Sequence, residues 1–208
     1  MIQITRSQTV FGGSDADLAA LRTTFAEQHW LRLPQLVEAS VLDMVKSELD
    51  TCRFEPRTYG GVGTELLGRA YRSMSFLTLM LNHSRLFELL GAITGHRDIA
   101  CFKGRIYRMI AGTDQHFDWH ADLEDHRLIS MSLNLSTEPY RGGVLQIRER
   151  GSDRVQDVTN TAFGDAIIFK VAAGLEHRVT PVEGPVPRTA FGGWFRSYPP
   201  FNRAFPKQ

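Results

Sequence analysis

The amino-acid sequence predicts an α+β protein in which an antiparallel β-sandwich or β-barrel follows a helical N-terminal part. The prediction depends on two observations. Up to about residue 97 the apolar residues recur with helical spacing, and from residue 98 onwards they fall in short runs typical of strands. The chain has 208 residues, which suits one domain. We therefore expect a single domain over residues 1–208, with residues 1–97 as mainly helical support and residues 98–197 as a β-core.

Three segments before residue 98 are predicted to be helices. Ser14 begins the first, Ser40 the second and Ser84 the third, each placed as an N-cap. Gly95 is placed to end the third helix. The apolar residues with helical spacing after these caps are Leu18, Leu21 and Phe25 in the first segment, Leu42, Val45 and Leu49 in the second, and Leu86, Leu89, Leu90 and Ile93 in the third.

Five short runs after residue 98 are predicted to be strands, separated by glycine-bearing turns. They are residues 99–110, 128–135, 144–148, 166–170 and 189–195. The second run alternates, with Ile129, Met131 and Leu133 on one face, and Ser130 and Ser132 on the other. Such a strand has one face in an apolar core and presents polar groups on the opposite face.

Composition and charge exclude some classes of protein. The 24 Lys and Arg residues balance 23 Asp and Glu residues, so the net charge is +1 and no dense basic face for nucleic acid is expected. No apolar run approaches the length of a membrane span or a signal peptide. Cys52 and Cys101 form no disulfide framework, which is typical of a reduced, cytoplasmic protein. The oligomeric state stays open.

Two successive His-x-Asp pairs, His116 with Asp118 and His120 with Asp122, indicate a possible metal site. On extended backbone a His and a carboxylate two positions apart project to the same side, so they can bind one cation together. A third ligand from a distant strand would complete a facial triad, which suits ferrous iron in oxygenases. The His-x-Asp pattern alone is also typical of a polar turn. It leaves both pairs as candidates.

The motifs that follow reduce this ambiguity when their order is considered. Arg188 lies 11 positions after His177 and begins an apolar strand. In chain order the motifs are His120-Ala121-Asp122, Asn134-Leu135-Ser136, Gly142-Gly143-Val144-Leu145, Gly164-Asp165, His177-Arg178-Val179-Thr180-Pro181-Val182, and Arg188. This order, over about residues 99–196, resembles the iron(II)/2-oxoglutarate-dependent oxygenase superfamily, particularly its prolyl-hydroxylase-like branch.

The resemblance implies a double-stranded β-helix, or jelly-roll, core with buttressing helices. It implies that His120, Asp122 and His177 bind Fe(2+), since the strand at residues 129–136, aligned with the family, places the usual histidine at position 120. Arg188 would bind a carboxylate of the co-substrate 2-oxoglutarate, because its guanidinium forms bidentate ion pairs. Asn134 stands where the family commonly has a co-substrate-binding tyrosine. Ala190 replaces the family's frequent Ser or Thr.

The resemblance also implies the reaction. The expected enzyme is a dioxygenase that uses O2 to hydroxylate an unactivated C–H bond of a small molecule or amino-acid derivative, releasing succinate and CO2. Two alternatives stay open at this point, a peptidyl hydroxylase acting on a residue such as proline, and a cupin-like metal-binding protein that does not use 2-oxoglutarate. A small substrate is favoured because the sequence shows no appended recognition domain. The carboxylate of Asp122 favours hydroxylation over halogenation, since halogenating relatives have a small residue there.

Overall fold

A computed structural model describes residues 1–60, 62–113 and 115–198. The helices are α1 (Asp15–Gln28), α2 (Ala39–Leu49), α3 (Tyr71–Leu81) and α4 (Ser84–Thr94). The strands are β1 (Ile2–Ile4), β2 (Thr9–Phe11), β3 (Trp30–Leu33), β4 (Phe54–Tyr59), β5 (Gly63–Gly68), β6 (Cys101–Met109), β7 (Phe117–His120), β8 (Arg127–Asn134), β9 (Arg141–Gly142), β10 (Leu145–Glu149), β11 (Val155–Val158), β12 (Ala166–Lys170), β13 (Leu175–Val179), β14 (Val182–Glu183) and β15 (Arg188–Arg196). No helix in these ranges is long and apolar enough to span a membrane.

Eleven strands form one curled antiparallel sheet. Its order is β11-β10-β13-β7-β5-β6-β15-β8-β12-β3, and β4 pairs with β5. The strands β1 and β2 form a separate two-stranded sheet, as do β9 and β14. The α+β class and the jelly-roll-like core, with helices against the curled sheet, are thus confirmed.

Apolar and polar side chains alternate along the central strands, so the two faces of the sheet have different surroundings. On β8, Met131 and Leu133 belong to the same buried cluster as the apolar residues of α3 and α4, and so do Phe191 and Phe195 on β15. The side chain of Ser132, on the opposite face of β8, lines a cavity inside the curl. A second apolar cluster, separate from the helices, surrounds this cavity. The alternation predicted for β8 is therefore confirmed, with its polar face turned to the cavity.

The N-terminal part supplies strands to the sheet as well as the four helices. Strand β3 pairs with β12 at one edge, and the β4–β5 hairpin lies beside β6 and β7. These strands were not predicted. β4 is mostly exposed and contains Pro56, so its sequence lacks the alternation that marks a half-buried strand.

The helix ends confirm part of the predicted pattern. Ser14 caps α1 in a capping box, in which the backbone N–H of Asp17 donates to the Ser14 hydroxyl and the Asp17 carboxylate accepts from the Ser14 backbone N–H at 2.8 Å. Gly95 ends α4 with a φ of 83°, a left-handed conformation that glycine adopts readily. The first and last of the predicted helix signals are therefore confirmed.

Two predicted caps are wrong by one or two positions. The N-cap of α2 is Glu38, and Ser40 lies inside the first turn, where its hydroxyl donates to the Glu38 carboxylate at 2.7 Å. The N-cap of α4 is His83, whose Nδ1 accepts from the Arg85 backbone N–H at 3.3 Å. The His83 side chain caps α4, whereas the Glu38 side chain makes no capping hydrogen bond to α2.

Helix α3 was not predicted, because its N-terminus is capped from another helix. Its N-cap, Ala70, offers no side-chain acceptor. The carboxylate of Glu48, in α2, accepts from the backbone N–H groups of Arg72 at 3.2 Å and Ser73 at 2.6 Å. A tertiary cap of this kind satisfies the free N–H groups of the first turn but leaves no local signal.

The backbones of β6 and β15 approach closely where Gly104 and Gly193 are paired. A Cβ atom at Gly193 would lie 2.3 Å from the Lys103 carbonyl oxygen and 2.4 Å from the Gly104 Cα. Because backbone atoms would have to move, we expect Gly193→Ala to reduce the free energy of unfolding by about 1–3 kcal/mol. Urea unfolding measures this change, with Gly174→Ala as the control because a Cβ there meets nothing within 4 Å. Equal stabilities of the two variants would contradict the prediction.

Candidate metal centre

Strand pairing brings two histidines face to face. His120 ends β7, His177 lies in β13, and the two are direct partners in the antiparallel register, with ring centroids 4.2 Å apart. The Asp122 carboxylate completes the group, at 3.4 Å from His177 Nε2 and 3.8 Å from His120 Nε2. Their possible ligand atoms all lie within 4.8 Å of one another. Metal bonds of about 2 Å place neighbouring ligand atoms about 3 Å apart, so a small closing movement would let them hold one cation.

The protonation states suit a divalent cation. The ring Nδ1 of His120 is 2.6 Å from the Asp118 carbonyl oxygen, to which it donates, and this leaves Nε2 as a free electron-pair donor. Burial lowers the pKa of His120 below its usual value, which favours the neutral ring. Burial opposes ionisation of Asp122, but the adjacent His177 ring and the hydrogen bond from the Trp194 indole hold its pKa well below its ordinary value. Two imidazoles and a carboxylate form a donor set that suits ferrous iron.

The other His-x-Asp pair lies outside this group. His116 Nε2 is 3.4 Å from the Asp118 carboxylate, and the Asp118 side chain is 68% exposed. Within residues 1–60, 62–113 and 115–198, three metal-ligating side chains come together only at His120, Asp122 and His177. The structure therefore favours His120 with Asp122, the pair that the resemblance to the family also selects.

Arg188 is a buried cation in the wall of the same cavity. It is 5% exposed, and its guanidinium donates to the Tyr107 hydroxyl at 2.6 Å and to the Ser132 hydroxyl at 3.1 Å. In the described part of the chain it pairs with no carboxylate, and its Nε has no hydrogen-bond partner. A buried charge without a counter-ion is unfavourable, so the site fits a ligand that brings a carboxylate.

Two residues beside Arg188 were not predicted as part of the site. The hydroxyls of Tyr107 and Ser132 accept from Arg188, and each keeps its own proton to donate to a bound carboxylate. The polar face predicted for β8 contains Ser132 and was the available signal. Tyr107 gave no such signal, because an aromatic residue in a strand is usual in a core.

Asn134 lies on the same face but its amide is engaged elsewhere. The amide nitrogen donates to the Thr161 carbonyl at 2.5 Å, and the amide oxygen accepts from the Ser136 backbone N–H at 2.9 Å. Asn134 lines a smaller neighbouring cavity that also reaches Arg188 and Ala190. A direct contact with a co-substrate would need one of these bonds to be exchanged, so its binding role stays a prediction.

One cavity of about 570 Å³, including its open mouth, connects the three candidate ligands with Arg188. Its walls are mainly apolar, formed by Phe117, Leu145, Ile167, Phe169 and Val179. Arg105 and Trp194 also line it. The cavity thus combines the three candidate ligands and a buried guanidinium in mainly apolar surroundings.

Comparisons with known proteins agree with this geometry. Residues 104–196 match the 2OG-Fe(II) oxygenase superfamily. Among solved structures, the fold is similar to an oxidoreductase of the 2OG-Fe(II) oxygenase family from Burkholderia pseudomallei, with 20% identity, 95% of this chain and 97% of that chain covered, and a TM-score of 0.64. No curated protein sequence matches the chain at a significant level.

Two further solved structures share the fold. A prolyl hydroxylase from Trichoplax adhaerens, in complex with a hypoxia-inducible-factor peptide fragment, is 13% identical, with 93% of this chain and 94% of that chain covered and a TM-score of 0.67. A non-heme alpha-ketoglutarate-dependent epimerase from nogalamycin biosynthesis is 14% identical, with 94% and 92% covered and a TM-score of 0.61.

The family match spans the strands that line the cavity and includes all three candidate ligands and Arg188. This part of the chain belongs to the 2OG-Fe(II) oxygenase superfamily. The family match supports an iron(II)- and 2-oxoglutarate-dependent dioxygenase, a class that uses Fe(2+), 2-oxoglutarate and O2.

Proposed function

We propose that this enzyme hydroxylates an unactivated C–H bond of a small molecule or amino-acid derivative and releases succinate and CO2. In this proposal His120, Asp122 and His177 hold the iron, and Arg188 binds the far carboxylate of 2-oxoglutarate. The observation that supports it most is the presence of a three-ligand group and a buried guanidinium without a carboxylate partner in one cavity. We propose that the chain acts as one oxygenase domain, because β3 and β5 complete the same sheet as the β-core.

Each side chain has a physical task in this reaction. Bound iron supplies the O2 chemistry, and three protein ligands leave coordination positions open for co-substrate and O2. Arg188 orients the co-substrate through a charge-assisted contact, and the hydroxyls of Tyr107 and Ser132 can donate to the same carboxylate. The apolar walls keep bulk water away from reactive species.

Arg105, in the wall of the cavity, favours a small substrate with a polar or acidic group. Arg105 lines the cavity and is held by two hydrogen bonds to the buried Glu65, at 2.6 and 2.8 Å. Its remaining nitrogen, Nη1, has no hydrogen-bond partner among the described residues, so it can donate to a substrate carboxylate or carbonyl. This supports an amino-acid-like substrate.

A peptidyl substrate is the second candidate, since the similar Trichoplax enzyme was solved with a peptide fragment.

We also propose a cytoplasmic location, which the free thiols of Cys52 and Cys101 support because such thiols persist in a reducing compartment.

The reaction can be tested by its products. We expect succinate to form in air with Fe(2+) and 2-oxoglutarate, and to fall to background under anaerobic conditions, when amino acids, their derivatives and proline-containing peptides are supplied. With labelled O2 and excess chloride, mass analysis should find one labelled oxygen in the product. Loss of two hydrogens would indicate desaturation instead. A chlorinated product would show that Asp122 is not an iron ligand.

A further inference from the structure

Asp122 lies outside the sheet that holds the two histidines. Strand β7 ends at His120, and the segment that follows is irregular, with left-handed backbone at Asp125 and His126, where φ is 55° and 57°. Strand pairing makes His120 and His177 neighbours but does not hold the Asp122 carboxylate, which lies beyond the end of β7. Something else must hold this carboxylate towards the histidines.

Two donors from other strands contact the two oxygens of Asp122. The indole N–H of Trp194, in β15, donates to Oδ2 at 2.6 Å. The guanidinium of Arg127, at the start of β8, donates to Oδ1 at 2.8 Å. Each oxygen keeps a further lone pair for a cation, because a carboxylate oxygen can accept more than one contact.

The two donors are themselves held by packing. The Arg127 guanidinium lies 3.9 Å from the centre of the Trp194 ring, which is the distance of a cation–π contact. A second guanidinium, that of Arg105, lies 5.5 Å from the same ring and is anchored by the buried Glu65. A buried ion pair is weak support for stability alone, which favours a role in fixing geometry near the cavity.

We propose that Trp194 and Arg127 are positioning residues for iron binding, which fix the orientation of the Asp122 carboxylate. The inference rests on the proposed role of Asp122 as an iron ligand. Hydrogen bonds to ligands raise metal affinity by restricting the ligand to its binding orientation, and their loss typically lowers affinity about 10–100-fold.

The variant Trp194→Phe tests the indole bond, because it keeps an aromatic ring for the stack and removes the N–H donor. We expect the dissociation constants for Mn2+ and, under anaerobic conditions, for Fe(2+) to rise about 10–100-fold. The melting temperature of the metal-free protein should stay close to that of the matched control. A role in packing alone would change the melting temperature and leave metal affinity in place.

Trp119→Phe is the matched control. The Trp119 ring also lies near two guanidiniums, those of Arg148 at 4.1 Å and Arg178 at 4.7 Å, and Asp122 is not among its contacts in the described structure. Metal affinity should therefore stay within about twofold of the unmodified protein, since no ligand loses a donor. Equal metal affinities for Trp194→Phe and Trp119→Phe would overturn the proposal.

Arg127 provides a second, independent pair of variants. Arg127→Met removes the charge and should weaken metal binding, whereas Arg127→Lys keeps a donor and should restore part of the affinity. If Trp194→Phe does not fold, this pair decides the proposal, and equal affinities for the two Arg127 variants would overturn it. If the unmodified protein itself binds no divalent metal, the proposed function fails instead, so the two failures are distinguishable.

Discussion

Replacing His120 or Asp122 with alanine is expected to abolish ferrous iron binding and turnover. Two remaining ligands hold a labile cation poorly, and the three candidate ligand atoms lie within 4.8 Å of one another, so each contributes to a single site. Equilibrium titration with Fe(2+) under anaerobic conditions measures the loss. The same preparations should retain their fold, which circular dichroism can check.

The sequence itself supplies the control for this experiment. His116→Ala and Asp118→Ala change the same residue types four positions earlier, where Asp118 is exposed, His116 is half-buried and both lie outside the three-ligand group. Iron affinity should stay nearly intact in both. Loss of iron in His116→Ala together with retention in His120→Ala would show that the other His-x-Asp pair binds the metal.

Arg188→Ala is expected to raise the Michaelis constant for 2-oxoglutarate far more than it disturbs iron binding. Losing a charge-assisted contact to a buried carboxylate costs about 2–5 kcal/mol. This corresponds to roughly one and a half to nearly four powers of ten in affinity. Kinetics at varied 2-oxoglutarate, with iron affinity measured in parallel, would separate the two effects.

Arg154→Ala is a suitable control for the Arg188 variant. Arg154 is exposed, so this substitution removes the same charge from the surface. Its Michaelis constant for 2-oxoglutarate should be unchanged. An Arg188→Ala enzyme with the same 2-oxoglutarate dependence as Arg154→Ala would favour a cupin-like protein that does not use this co-substrate.

Much of the β-core could be predicted because its strands are apolar runs bounded by glycine-bearing turns, and the longest of them, such as β8, also alternate. The serines of β8 marked the polar face that lines the cavity, and the run at residues 166–170 coincides with β12. Strands β7 and β13 are four and five residues long and contain charged or histidine residues at two or more positions, so neither forms an apolar run. The pairing of these two strands makes His120 and His177 neighbours and follows from the curl of the sheet. The choice of His120 and His177 as ligands therefore had to rest on the resemblance to the oxygenase family.

The less predictable parts of the site depend on contacts between distant residues. Trp194 follows Asp122 by 72 positions and Arg188 follows Tyr107 by 81, so no local pattern links either pair. Helix α3 is similar, since its cap comes from Glu48 in another helix. Spacing could suggest ligands and a guanidinium, but the hydrogen bonds that orient them became visible only in three dimensions.

In the proposed enzyme, iron and 2-oxoglutarate bind together in one cavity, held by two separate sets of residues. Calorimetric titration of 2-oxoglutarate under anaerobic conditions, with and without Fe(2+), tests it most directly. We expect tight 2-oxoglutarate binding only when iron is present, and loss of this dependence in Asp122→Ala. Equal 2-oxoglutarate affinity with and without iron in the unmodified protein would contradict it.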